Sequence, residues 1–480
     1  MASLTTIAET LDGEQQQAVE TMLSGKNVFL TGKAGTGKSR VIAAFKQLCQ
    51  KRLVCLAPTG QAARQIGGST IHSFFNFDLS PVPSPRQPLP EGFAQKLAAT
   101  EVIIIDEISM VSSAMFSQID LVLREVVGND RPFGGIQIIG VGDFCQLPPV
   151  IKNQRVREFI SNNFGGIYAF ETPIWKKAEF TAIVLHHIHR QTDRRLEKIL
   201  DAIRSGEPLE PTTEIVADRW LKHAPIEVDS NIDYLRLFNW ICTDKNVKPR
   251  VFAPVALCQT REQVNYINDR ALERLVIEQE FSFRAVITGV FPQSEFPVAE
   301  NLRLKRGVRV VIVATLHFPD GSNCVNGDVG TAIDIFPDIR PMVRVRLDTG
   351  RVVDVGLYNW PRSEYQVVKD DDGKESIESM VTGSFTQIPL AISAALTIHR
   401  VQGMTLDCQT HITLGEKRCF CPWQLYVALS RVKSLEQVTL DRPVTEDDLL
   451  VEPRVLEFYR RIDFEYCSRD GFYFKYFDMW

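Results

Sequence analysis

The chain has 480 residues, 44% of them apolar and 24% charged, and a formal net charge of −5. That length points to about two to four domains, and the composition excludes a mainly disordered chain. The slight acidity excludes a globally basic polyanion binder, so any contact with nucleic acid must use a local groove.

Residues 1 to 6 carry neither a cationic start nor an apolar core, and no run of about 18 apolar residues occurs. The expectation is a soluble cytoplasmic protein without a membrane partner. Ten cysteines lie scattered through mostly apolar segments, as free thiols do in a reducing compartment. Cys408, His411, Cys419 and Cys421 could supply soft ligands. Residues 410 to 414 alternate like a strand, however, and would turn successive side chains to opposite faces, which disfavours a metal there.

An amphipathic helical pattern begins at Leu11 and runs through Ala18, Val19 and Met22. It includes Gln15, whose amide both donates and accepts, as reading an adenine edge requires; alone, this residue reads as part of a solvated face. The apolar run Val28-Phe29-Leu30 then leads into Gly32-Lys33-Ala34-Gly35-Thr36-Gly37-Lys38-Ser39, with a helical pattern after it. This is the G-x-x-x-x-G-K-[ST] pattern of a P-loop. Its glycines let backbone N–H groups turn inward on a phosphate chain, with Lys38 reaching the β- and γ-phosphates of ATP and Ser39 the Mg²⁺.

A short strand over 53–57 ends in Pro58-Thr59-Gly60, and a second loop runs from Gly67 through Thr70, His72 and Phe74. Both loops belong at the carboxyl edge of a parallel sheet, where ligands bind. Residues 80 to 90 hold five prolines and predict a stiff extended excursion, either a passive loop or a functional protrusion. The apolar strand over 102–105 runs into Asp106-Glu107, and the strand over 136–141 into Gly142-Asp143-Phe144-Cys145-Gln146. Asp106 fits a Mg²⁺ ligand and Glu107 the residue that activates an attacking water, while Gln146 is within reach of a γ-phosphate.

A second lobe is expected to start near Phe180. His186, His187 and His189 invite a metal reading, but no acidic or further histidine ligand follows at helical spacing, which favours a loop carrying an active Arg190. From 284 to 388 the pattern changes to short alternating segments separated by turn signals such as Asp320-Gly321 and Asn326-Gly327, predicting a small all-β barrel. The α/β pattern resumes near Leu396, and the chain closes on the aromatic run Phe472 to Trp480.

Taken together, Leu11-x-x-Glu14-Gln15-x-x-Ala18, the P-loop, Ala57-Pro58-Thr59-Gly60, Thr70-Ile71-His72-Ser73-Phe74, Ile105-Asp106-Glu107 and Gly142-Asp143-Phe144-x-Gln146 occur in a characteristic order. His189-Arg190-Gln191, Thr397-Ile398-His399-Arg400-x-Gln402-Gly403-Met404-Thr405 and Tyr426-Val427-Ala428-Leu429-Ser430-Arg431 complete it. The chain resembles the RecD/Pif group of superfamily 1 helicases, which move 5′ to 3′ on single-stranded DNA. The resemblance implies an α/β fold of two RecA-like parallel-sheet lobes, with an SH3-like β-barrel inserted in the second and a short wedge in the first. On that pattern residues 1–180 form the first lobe with the wedge over 77–98. Residues 181–283 and 389–460 form the second lobe, 284–388 the barrel and 461–480 a docked tail.

The resemblance further implies adenine recognition by Gln15, two arginines, Arg190 and Arg431, that reach the γ-phosphate, and DNA contacts at Thr59, His72, Phe74, Thr397 and His399. Position 400 is arginine where lysine is common in the family, and the wedge segment is short. The expected activity is ATP-dependent unwinding, with Mg²⁺, on single-stranded and tailed or forked DNA, by a monomer or weak oligomer. The alternative is an ATP-switched clamp or translocase that grips a strand without separating a duplex. A P-loop kinase leaves the second lobe unexplained.

Overall fold

The computed structural model describes residues 10–206 and 255–469, apart from 79, 88–91, 152, 294–295, 315, 319–322, 325–327, 339, 370–374, 415–418 and 420. The chain divides into two compact units. The first comprises Met1–Arg190, Arg284–Glu300 and Tyr358–Gln387; the second comprises Gln191–Phe283, Asn301–Leu357 and Ile388–Trp480. Among the described residues no helix is long and apolar enough to cross a membrane.

The first unit alternates α1 (Gly13–Leu23), β1 (Val28–Gly32), α2 (Lys38–Leu48), β2 (Leu53–Ala57), α3 (Gly60–Gln65), β3 (Ser69–Thr70) and α4 (Ile71–Phe74). It continues with α5 (Phe93–Ala98), β4 (Val102–Ile105), α6 (Ser113–Val127), β5 (Gln137–Val141), α7 (Gln154–Phe164), α8 (Pro173–Lys177) and β6 (Thr181–Leu185). The six strands pair in the order β3-β2-β4-β5-β1-β6, all parallel. Strands β1, β4 and β5 are buried along their whole length, as expected of a parallel sheet covered on both faces. Parallel strands send all their following loops to one edge, so the turns after β1, β4 and β5 meet there.

Strand β6 corrects the expected boundary near 180. Its residues Thr181 to Leu185 pair in register with Val28 to Gly32, so they close the first sheet instead of opening the second lobe. An apolar run such as Ile183-Val184-Leu185 shows that a strand is buried but not which neighbour it pairs with.

Residues 284–388, read as one barrel, contribute strands to both units. Val286–Gly289, Tyr358–Lys369 and Glu375–Gln387 form a three-stranded antiparallel sheet in the first unit. Phe291, Phe296, Trp360 and Phe385 pack ring against ring at its base, and Tyr358–Lys369 lies against α4 and α5. In the second unit Val352–Val355, Met342–Leu347, Val329–Phe336, Arg309–Ile312 and Leu390–Ile392 form a five-stranded antiparallel sheet around its own apolar cluster. Alternation determines which side chains face a core, not which core they face. The acidic turn at 370–372 and the aromatic run from 472 lie outside the described residues.

The second unit also holds a parallel sheet in the order Ala395–Thr397, Val255–Cys258, Thr410–Thr413, Val438–Leu440. Within it His411 turns Nδ1 to the Thr439 hydroxyl at 3.0 Å, and Gln259 Nε2 donates to Cys419 Sγ at 3.8 Å. In the first unit the proline-rich stretch folds back on itself. Phe77 and Pro85 bridge, Asp78 N donates to Ser84 O at 2.9 Å, and Arg86 N donates to Asn76 O at 2.9 Å. The Asp78 carboxylate accepts from Ser80 N at 3.0 Å and Ser80 Oγ at 2.6 Å, and these bonds, with those from Ser84, hold it below the usual carboxylate range.

Candidate functional site

The turn from β1 into α2 carries the P-loop. Lys38 opens α2 and folds its ammonium back over the loop, donating to Gly32 O at 2.6 Å and Lys33 O at 3.0 Å. Thr36 closes the loop from within, through Oγ1 to Lys33 O at 3.0 Å. Ala34 is buried, Gly35 lends its carbonyl to His189 N at 2.9 Å, and Ser39 stands exposed in the first turn of α2. Burial lowers the Lys38 pKa and Arg190 lowers it further, while Asp143, Glu107 and Asp106 oppose both. One ammonium, one guanidinium and three carboxylates therefore share a single field at the carboxyl edge of the sheet.

The two acidic residues after β4 are held differently. Asp106 N donates to Leu56 O at 2.9 Å, and Asp106 Oδ1 accepts from Glu107 N at 2.9 Å. Burial and the neighbouring Glu107 push the Asp106 carboxyl up to about 7. Glu107 sits in the left-handed region at φ 51°, which for a side chain of this size costs on the order of 1–3 kcal/mol and re-aims it away from the strand direction. Space for that turn comes from Gly142 at the end of β5. A Cβ there would lie 3.0 Å from Ile108 N and 3.6 Å from the Glu107 carbonyl carbon.

Gln15 reaches the same loop from α1. It is 1% exposed and serves as the third residue of a capping box, taking Asp12 Oδ1 on its backbone N at 2.9 Å and returning Oε1 to Asp12 N at 3.3 Å. Its Nε2 donates to Thr36 O at 3.3 Å and faces His189 Nε2 at 3.2 Å. Gly37, at φ 85°, makes this approach possible, since a Cβ there would stand 2.4 Å from Gln15 Nε2. Gln146 is 5% exposed in the loop after β5, its N donating to Asp143 O at 2.9 Å.

The expected strand-contacting residues of the first unit are placed unequally. Thr59 accepts from Ala62 N at 3.2 Å and so starts α3. His72 is half-buried on α4, and burial, then Arg86, lowers its pKa. Phe74 departs from the expectation. It is 2% exposed, edge-on to Phe75 at 5.1 Å, with Lys96 Nζ 4.7 Å from its ring centre, so it is a core residue with no face open to a base. Arg362 ties the long hairpin to α4, donating to Ser73 Oγ at 3.4 Å and to Thr382 Oγ1 at 3.1 Å.

In the second unit Thr397 Oγ1 accepts from Arg400 N at 3.2 Å, and His399 lies in the same turn, half-buried. Arg431 is 1% exposed. Its guanidinium donates to Val427 O at 2.9 Å, Ser430 Oγ at 2.6 Å, Met404 O at 3.4 Å and Val401 O at 3.5 Å. Gln191 Nε2 donates to Ser430 O at 3.3 Å, so the residue after Arg190 joins that cluster.

Sequence reasoning passed over Asp143, the first of the charges that raise the Lys38 pKa against its burial. The signal was present: Asp143 follows β5 much as Asp106 follows β4, with one glycine between. It also missed Asp12, which stands 3.0 Å from His189 across 177 positions of chain.

A model of the PIF1-like helicase family matches residues 10–204. ATP-dependent DNA helicase Pif1 of Bdellovibrio bacteriovorus is 30% identical over 463 residues, covering 94% of this chain and 92% of that protein. The chain belongs to the PIF1-like helicases. ATP-dependent DNA helicase PIF1 of Danio rerio is 32% identical over 472 residues, 95% of this chain; there the chain spans 64% of the relative's length. Bacteroides Pif1 solved in complex with ADP-AlF4 aligns with a TM-score of 0.79 at 31% identity, covering 95% of this chain and 97% of that one. The two parallel sheets of this chain, with their additional β-sheets, accord with that structural likeness.

Proposed function

We propose that this chain is an ATP-dependent DNA helicase that moves 5′ to 3′ on single-stranded DNA and separates tailed or forked duplexes. The observation that carries the reading is the charge cluster around Lys38. A P-loop ammonium facing Asp106, Glu107 and Asp143 at a sheet edge, with Gln15 laid on the loop, is built to bind a nucleoside triphosphate and cleave it. Family membership supports the DNA substrate, and a Bacteroides Pif1 has been solved with both ADP-AlF3 and single-stranded DNA.

Lys38 and the P-loop amides bind the phosphates, Glu107 activates water, and Arg190, already within the field of Lys38, stabilises charge on the γ-phosphate. Gln146 orients the reacting phosphate and Gln15 reads the base. Ser39 and Asp106 offer the hard oxygen donors that suit Mg²⁺, and an Asp106 carboxyl pushed up by burial beside Glu107 is a position that a cation relieves. Bound there, Mg²⁺ would neutralise charge on the phosphate oxygens. Thr59 and His72 in the first unit, and Thr397 and His399 in the second, are our candidates for strand contact, and Arg431 is our candidate for sensing the γ-phosphate. We place the protein in the cytoplasm, acting as a monomer or weak oligomer.

The test is a pair of labelled duplexes with a 5′ or a 3′ single-stranded tail. The expected result is ATP-dependent unwinding from the 5′ tail only. Glu107→Gln should lower turnover by about 10²- to 10⁴-fold while still binding nucleotide. Strand-stimulated turnover with no unwinding from either tail would establish the clamp instead.

A further inference from the structure

We propose that Asp12, His187 and His189 form a binding site for a divalent transition metal of the zinc class, beside Gln15. The three residues come from the cap of α1 and from the segment after β6, both in the first unit. They are the one group of histidine, cysteine and acidic side chains converging in this way among the described residues.

The distances fit an ion. His189 Nε2 lies 3.0 Å from Asp12 Oδ2 and 3.2 Å from His187 Nδ1, and His187 Nδ1 lies 3.9 Å from Asp12 Oδ2. An ion bound tetrahedrally to nitrogen and oxygen at about 2.0–2.2 Å separates its ligand atoms by about 3.3–3.6 Å. Two imidazoles and one carboxylate with an open fourth position form a known donor set for such ions, whereas Mg²⁺ and Ca²⁺ take oxygen.

A single proton pairs only part of the cluster. His189 Nε2 faces Asp12 Oδ2, His187 Nδ1 and Gln15 Nε2 at once, at 3.0, 3.2 and 3.2 Å. If it carries a hydrogen, that hydrogen points well at only one acceptor, and Gln15 offers none. If it carries none, its lone pair opposes the Asp12 oxygen. An ion at the centre accepts a lone pair from all three ligands.

The surroundings hold the ligands in place. Asp12 Oδ1 is committed to Gln15 N, which leaves Oδ2 to turn outward. Glu14 Oε2 accepts from His186 N at 2.8 Å and His187 N at 3.3 Å, and Gly35 O accepts from His189 N at 2.9 Å. Partners of this kind orient ligands and tune affinity.

The experiment uses the full chain stripped with chelator, titrated with Zn²⁺ by calorimetry and with Co²⁺ as a spectroscopic probe. The expected result is one ion per chain and a cobalt spectrum without the thiolate charge-transfer band. Asp12→Asn, which keeps a capping side chain, and His187→Gln should each weaken Zn²⁺ binding by more than about tenfold. His187 is 68% exposed at its side chain, so its replacement should leave the metal-free melting temperature unchanged and keeps the test decisive if Asp12→Asn misfolds. Absence of saturable binding, a thiolate band, or equal affinity in wild type and His187→Gln overturns the proposal.

Discussion

A guanidinium enclosed by acceptors of its own unit does two jobs if it also meets a γ-phosphate. Arg431 donates to two elements, the helix at Gln424–Leu429 and the turn at 401–404, and therefore knits them together. Removing it deprives buried carbonyls of their donor, at about 1–3 kcal/mol for each group left unsatisfied. Arg431→Ala should thus lower the denaturation midpoint in urea as well as turnover, and a wild-type midpoint would refute the knitting role. The P-loop was legible from residue types alone because its chemistry is local: glycines, a lysine and a serine within eight positions. Asp12 and His189 were not, since their meeting depends on β6 pairing with β1, which no local pattern encodes.

At the scale of elements, the proline-rich turn gains its shape from Asp78. Five prolines stiffen the chain, but the carboxylate bonds to Ser80 and Ser84 bend it back toward Asn76. If this turn is the wedge, its resistance to bending is what splits a base pair, at about 1.4 kcal/mol per step. Asp78→Ala should then leave DNA-stimulated ATPase near wild type while duplex unwinding falls several-fold, and unchanged unwinding would move the wedge elsewhere. Existence of the apolar strands and of the β-rich stretch could be read from periodicity. Their grouping could not: Tyr358–Lys369 and Met342–Leu347 alternate alike, yet one lies on α4 and α5 and the other packs around Val310 and Leu390.

At the scale of the whole molecule, each unit is assembled from three separated segments. The first cannot be completed until residues 284–300 and 358–387 have been made. A fragment of residues 1–190 should therefore melt below the full chain and bind a hydrophobic dye at α4 and α5. A fragment with residues 358–387 joined by a flexible linker should recover part of the difference. Equal melting of the short fragment and the full chain would mean that the hairpin adds nothing to the lobe.

The chain passes between units at 190, 283, 300, 357 and 387. A ribosome therefore releases the lobe that carries the P-loop as an unfinished object, its remaining pieces separated from it by most of the other unit. A single exchange in the gene between the codons of residues 191 and 387 leaves neither lobe whole, so the first lobe can be inherited only with most of the second.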